Sequence, residues 1–162
     1  MPLDEAAAPG GEAAQLAVIT AALDVLAPAD VDGVLQTVRD GVRAAARCGL
    51  AAARDPRWRA RRRNAEAVEH ALAEHLARTR AIHEAALPGP GEVDEALTGS
   101  GADAAVAAIS AFSRTAERVL RVAAGQAEDW TDRTVCWTCT RLVRELAECW
   151  DGQHPTYAHR LG

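Results

Sequence analysis

Three of the four cysteines in this 162-residue chain lie in one short segment. Cys136 and Cys139 are spaced Cys-x2-Cys, and Cys149 and His154 follow them. Thiolate and imidazole groups are the ligands that Zn²⁺ prefers, so Cys136 and Cys139 are candidate metal ligands. An unbroken helix would separate Cys139 from Cys149 by about 15 Å, however, and nothing between them is glycine or proline. Such a spacing keeps the two thiols from sharing one ion.

The same segment also reads as an amphipathic helix with cysteines on its apolar side. At 100° per residue, one face carries Val135, Cys139, Leu142, Leu146 and Trp150, with Val143 and Cys149 beside it. Free cysteine is a common core residue. A thioredoxin-like redox motif belongs to a βαβ context, which this sequence lacks. We therefore favour a core role for the cysteines over a metal or redox site.

Two tryptophans of this helix point away from that apolar face. Trp130 and Trp137 are seven residues apart, beside Arg133, Arg141 and Arg144. Tryptophan and arginine are the side chains that most often anchor protein interfaces. Another helix or the N-terminal leader would be the alternative cover for the two indoles. The pattern therefore predicts either intrachain packing or an interface with a protein partner or a second copy.

A second candidate site lies in the segment 66–87, which carries three histidines. Its apolar stripe consists of Val68, Leu72, Leu76, Ile82 and Ala86. His75, Thr79 and His83 fall within that stripe at intervals of four, whereas His70 lies outside it. Two turns of helix separate His75 from His83 by about 12 Å, so they cannot chelate one ion together. They are either satisfied core histidines or the lining of a ligand or metal pocket completed by neighbouring helices.

Arginines crowd the segment "RDPRWRARRRN", residues 54–64, around Trp58. One interpretation is the solvated start of a long helix. The other is a phosphate or RNA surface, because arginine forks and helix N-termini both favour phosphate. The candidate residues for that surface are Arg57, Trp58, Arg61, Arg62, Arg63 and His70.

The stretch "RNAEAVEH" resembles the Arg-x4–6-His motif of HEPN domains, which are small α-bundles and often ribonucleases. The resemblance implies that Arg63 and His70 form the motif pair, with Asn64 in the polar position after the arginine. Arg78 and His83 in "RTRAIH" give a further match. The resemblance covers only a few residues of an arginine-rich chain, so we do not assign the chain to this family.

The overall charge argues against nucleic acid as the partner. The formal net charge is −5, and all 18 basic side chains are arginine. A GC-rich genome explains arginine and alanine together better than selection for phosphate binding does. No apolar run approaches the roughly 20 residues that span a bilayer, and the N-terminus lacks the apolar core of a signal peptide. We expect a cytoplasmic protein with reduced thiols and no membrane association.

The elements that must position these residues are helices. Helical spacing of apolar residues predicts segments at 12–26, 31–49, 56–87, 102–124 and about 130–151. Asp30, Asp55 before Pro56, and Asp129 or Thr131 are expected N-caps. Residues 1–10 read as a disordered leader, 88–101 as a long Gly/Pro loop and 152–162 as an irregular tail. The sequence thus predicts an all-α, up-and-down bundle of four to five helices, forming one domain over residues 11–151.

For function, the sequence favours a binding protein that self-associates. It contains no nucleophile–base pair, phosphate loop or dinucleotide fingerprint, and the identity of any cofactor is unknown from the sequence. Glu-x-x-His, which ferritin-type di-iron bundles need, does not occur. A small-molecule or metal pocket around His75, Thr79 and His83 is the first alternative, and HEPN-like RNA cleavage is the second.

Overall fold

The computed structural model describes residues 11–79 and 101–153. These residues form five α-helices and no strand. The helices are α1 (Glu12–Val25), α2 (Val31–Ala52), α3 (Arg59–Ala77), α4 (Ala102–Gln126) and α5 (Trp130–Asp151), and a 3₁₀ turn over Pro56–Trp58 leads into α3. The predicted all-α bundle is confirmed. The predicted leader, the Gly/Pro loop and most of the predicted tail lie outside the described residues.

Aspartate side chains start three of these elements, as the sequence predicted. A carboxylate oxygen of Asp30 accepts a hydrogen bond from the Gly33 amide at 3.0 Å, and Asp129 accepts one from Asp132 at the same distance. Asp55 caps the 3₁₀ turn through the Arg57 amide, just before Pro56. Each carboxylate satisfies an amide that has no partner inside its own helix.

One apolar core runs through the whole bundle. Helix α4 packs against α1, α2 and α5, while α3 packs against α2 and α5. The largest fully buried side chains include Trp150, Phe112 and Ile109, and alanine fills many of the remaining core positions. Small side chains let the helix axes approach closely.

Helices α2 and α4 approach each other closely at Gly41. A β-carbon at this position would lie 2.0 Å from Cε2 of Phe112, whose ring is fully buried. Atoms cannot approach so closely, so only glycine fits beneath the ring. The absent side chain of Gly41 therefore makes room for the largest aromatic group of α4.

Helix α3 ends earlier than the sequence predicted. The apolar spacing predicted a helix to Leu87, but α3 ends at Ala77. The hydroxyl and the amide of Thr79 both donate to the Leu76 carbonyl, at 2.8 and 3.1 Å. These bonds span three residues and so tighten the last turn, and the threonine hydroxyl competes for a helical acceptor. Residues 80–87 lie outside the described part of the chain.

Within the described ranges, no helix combines the length and the apolar character needed to cross a lipid bilayer.

Candidate functional site

Five residues of α5 form a surface that we call the tryptophan face: Trp130, Arg133, Trp137, Arg141 and Arg144. Trp130 is 75% exposed and Trp137 is 51% exposed, although both are large apolar side chains. Seven residues are nearly two helical turns, so the two indoles share one side of α5. The opposite side of this helix is buried in the bundle. The structure therefore brings the predicted interface residues together, and no described residue covers the two indoles fully.

The arginines of the tryptophan face are held in place by neighbouring groups. Both Nε and Nη2 of Arg144 donate to one carboxylate oxygen of Glu117 on α4, at 2.9 and 2.6 Å. Arg141 donates to Glu145 at 3.1 Å, and Arg133 donates to the Ala127 carbonyl at 2.7 Å. Side chains that are already oriented lose less entropy when they bind. Sequence reasoning missed Glu117, because its partner lies 27 residues away.

Arg144 keeps its positive charge firmly. Its hydrogen bonds to Glu117 raise the pKa of the guanidinium above its usual value, and the charge of Glu117 adds to this effect. Glu117 also accepts a hydrogen bond from Arg121, at 2.9 Å. One carboxylate of α4 thus fixes two guanidinium groups beside the exposed indoles.

The cysteines of α5 are buried thiols. Cys136, Cys139 and Cys149 all lie in the core, as the preferred interpretation predicted. Burial raises the pKa of Cys136 and Cys139 to about 12, and that of Cys149 to about 11. In the described ranges, no three histidine, cysteine, aspartate or glutamate side chains come together as metal ligands. His154, the fourth ligand of the zinc hypothesis, lies outside these ranges.

The structure describes two of the three residues proposed to line a pocket on α3. His75 is half-buried and Thr79 is buried. The Thr79 hydroxyl donates to the Leu76 carbonyl in the last turn of α3, so that hydrogen already has a partner. His83 is outside the described residues. The pocket around these three side chains remains a hypothesis.

Arginines of the predicted phosphate surface make contacts within the bundle. Arg57 bonds Asp55 at 2.8 Å and lies 3.4 Å from Asp103. Arg61 donates to the Trp150 carbonyl at 2.7 Å and stacks over Trp58, with its guanidinium carbon 4.8 Å from the ring centroid. The bond from Arg61 to the Trp150 carbonyl ties the start of α3 to the end of α5.

Trp58 also joins these two helices. Its ring centroid lies 6.3 Å from that of Trp150, and the two rings are tilted by 49°. A tilted arrangement at this distance is favourable for aromatic pairs. Trp58 is therefore partly buried by its contact with α5.

Arg62 is buried, although the sequence placed it in the same run as its exposed neighbours. Its Nη1 donates to Glu69 at 3.1 Å, and its Nη2 lies 3.3 Å from the exposed Glu66. Burial raises the pKa of Glu69 to about 7, while the charge of Arg62 opposes part of that rise. The second oxygen of Glu69 and Nε of Arg62 have no hydrogen-bond partner among the described residues. Sequence reasoning missed this buried pair, because it considered Arg62 only as one of the solvated or phosphate-binding arginines.

The two residues that match the HEPN motif are both exposed. Arg63 and His70 lie nearly two turns apart on the outer side of α3, about 10 Å along its axis. No hydrogen bond or ion pair joins them in the described part of the chain. The geometry places them on one surface without bringing them into contact.

An open groove of about 280 Å³ separates α1 from α4. Small side chains line most of it, among them Ala17, Ala21, Ala108 and Ala111. Its one charged group, Asp24, forms an ion pair with Arg118. The groove contains none of the residues that the sequence analysis selected.

Comparison with other proteins adds no relative. No family model, curated protein or solved structure matches the chain. Any function assigned to this chain must therefore rest on the geometry of its described residues.

Proposed function

We propose that this protein is an interaction module that self-associates through the tryptophan face of α5. One observation carries this proposal: Trp130 and Trp137 are largely exposed on the same side of a helix whose other side is fully packed. Tryptophan and arginine are the residues that contribute most to binding when an interface covers them. A pair of exposed indoles framed by three arginines has that composition.

The preset arginines support a binding role. Glu117, Glu145 and the Ala127 carbonyl hold the three guanidinium groups in defined positions. A surface that is ordered before binding loses less conformational entropy when a complex forms. The tryptophan face therefore suits recognition by a rigid partner surface.

The composition of the core supports self-association in particular. Alanine occupies many core positions, and it buries less apolar area than leucine would. Covering Trp130 and Trp137 in a dimer would add apolar burial outside the monomer's core. The thiols also suit a binding protein better than a cysteine enzyme, because a raised pKa leaves little thiolate for catalysis.

Sedimentation of the wild-type chain and of Trp130→Ala/Trp137→Ala tests this proposal. We expect the wild-type mass to rise with concentration and the double variant to remain monomeric with unchanged helicity. Val18→Ala/Val25→Ala is a matched control, because these valines are 70% and 82% exposed but lie on α1. It should associate as the wild type does.

Two results would contradict the proposal. One is a wild-type chain that stays monomeric at every concentration. The other is an equal loss of association in the α1 control, since that would indicate non-specific hydrophobic association.

A further inference from the structure

We infer that two copies pair antiparallel along α5, with Trp130 of each copy against Arg144 of the other and the two-fold axis beside Trp137. This geometry rests on the proposed self-association and specifies its partner. A two-fold interface uses the same patch on both copies, so each contact occurs twice.

The spacing of the tryptophan face carries this arrangement. Trp130 lies seven residues before Trp137, and Arg144 lies seven residues after it. Each is therefore about 10 Å along the axis from Trp137 and within about 20° of the same line on the helix surface. An antiparallel two-fold axis at Trp137 brings residues at equal distances on opposite sides face to face. Trp130 then meets Arg144 of the second copy.

The chemistry of these two side chains fits such a contact. Arg144 directs its Nε and Nη2 edge at Glu117, and its side chain is 52% exposed. Trp130 offers an exposed indole. A guanidinium can bond a carboxylate with its edge and stack on an aromatic ring with its face.

Charge favours the antiparallel direction over the parallel one. In a parallel pair, Arg144 would face Arg144 of the second copy and the two like charges would repel. In the antiparallel pair, Arg144 faces an indole instead. Arg133 and Arg141 of the second copy come to the same height, but each lies about 40° from the central line, on opposite sides of the seam. Arg141 is also already paired with Glu145.

Disulfide trapping tests the register. Thr134 and Arg141 are exposed and lie on the same side of the line through Trp137, three residues before it and four after it. The antiparallel pair places them side by side. Thr134→Cys and a mass-tagged Arg141→Cys are mixed and briefly oxidised. We expect the mixed disulfide in roughly tenfold excess over either self-linked product, because a paired interface raises the effective thiol concentration.

A mixture of Val18→Cys with Arg141→Cys is the control, because α1 lies outside the proposed interface; it should give only background cross-linking. A dimer in which self-linked products dominate would overturn the antiparallel register and leave the proposed function standing. A dimer with no cross-link above the control would do the same. A wild-type chain that is monomeric in sedimentation would overturn both.

Discussion

Glu69 shows how much one carboxylate depends on its surroundings. It is buried beside Arg62, and only one of its oxygens has a hydrogen-bond partner among the described residues. Burial raises its pKa from 4.5 to about 7, and the nearby Glu66 contributes to the rise. Between these two values the folded protein binds a proton that the unfolded chain has released. The free energy of unfolding must therefore fall as the pH rises through this interval.

We expect Glu69→Gln to remove that pH dependence. Glutamine keeps the shape of the side chain but cannot ionise. Between pH 4.5 and 8, the free energy of unfolding of the wild type should fall by up to about 3 kcal/mol relative to that of this variant. Urea unfolding at several pH values measures the difference, and contributions from all other ionisable groups cancel because both proteins carry them. Glu74→Gln, at an exposed position of the same helix, should follow the wild type. Parallel curves for wild type and Glu69→Gln would contradict the assignment.

The thiols of α5 should be inert in the folded protein. A pKa of about 12 at Cys136 and Cys139 leaves only a trace of the reactive thiolate at pH 8. We expect a thiol reagent to label them at least about 100-fold more slowly in the native state than in urea. The introduced cysteine of Val18→Cys, which is exposed on α1 and outside the proposed interface, supplies a control that should react at once.

A chelator should also leave the melting temperature unchanged. The result that would reverse this view is one equivalent of tightly bound zinc whose removal unfolds the protein. That result would make Cys136 and Cys139 ligands rather than core residues.

At the scale of elements, the close contact between α2 and α4 requires a glycine at position 41, where the side chain is a single hydrogen atom. Gly41→Ala places a methyl group against the buried ring of Phe112, so we expect a loss of about 1–3 kcal/mol in the free energy of unfolding. Gly125→Ala is the matched control in α4, because its methyl group would meet nothing within 4 Å. Removing that helical glycine should stabilise the protein by up to about 1 kcal/mol. Equal effects of the two changes in denaturant unfolding would contradict the close approach at Gly41.

The elements themselves could be predicted where local rules decide them. Asp30, Asp55 and Asp129 cap their helices through amides two or three residues away, so the sequence contains both partners of each bond. The end of α3 was missed because apolar spacing continues past it. Competition by the hydroxyl of Thr79 for a helical carbonyl is a local effect that periodicity does not register.

The candidate site could be predicted only in part, because some of its contacts join different helices. The outward direction of Trp130 and Trp137 could be predicted from their angular positions on α5, and both side chains are exposed in the structure. The bond from Arg144 to Glu117 on α4 and the contact between Trp58 and Trp150 could not be predicted, because each joins residues far apart in the sequence. Contacts of this kind depend on how helices are placed in space, which spacing along one helix does not specify.

At the scale of the whole molecule, one side of α5 is joined to the bundle and the other side faces solvent. The start of α3 is fixed to the end of α5 by Arg61, by the Trp58–Trp150 pair and by the packing of both helices on the core. The tryptophan face lies on the solvent side of α5. A partner can therefore bind without any rearrangement of the core, which is the usual behaviour of rigid interaction surfaces.

The division of the four tryptophans also gives the protein an optical signal of its own. Trp130 and Trp137 are open to water, whereas Trp150 is enclosed and Trp58 is packed against it. Indoles in water emit at longer wavelength than enclosed ones and are reached by a neutral quencher such as acrylamide. Dilution that separates two copies should shift the fluorescence of only the first pair. Assembly can then be followed without a label, while the emission of the second pair reports whether the bundle itself is intact.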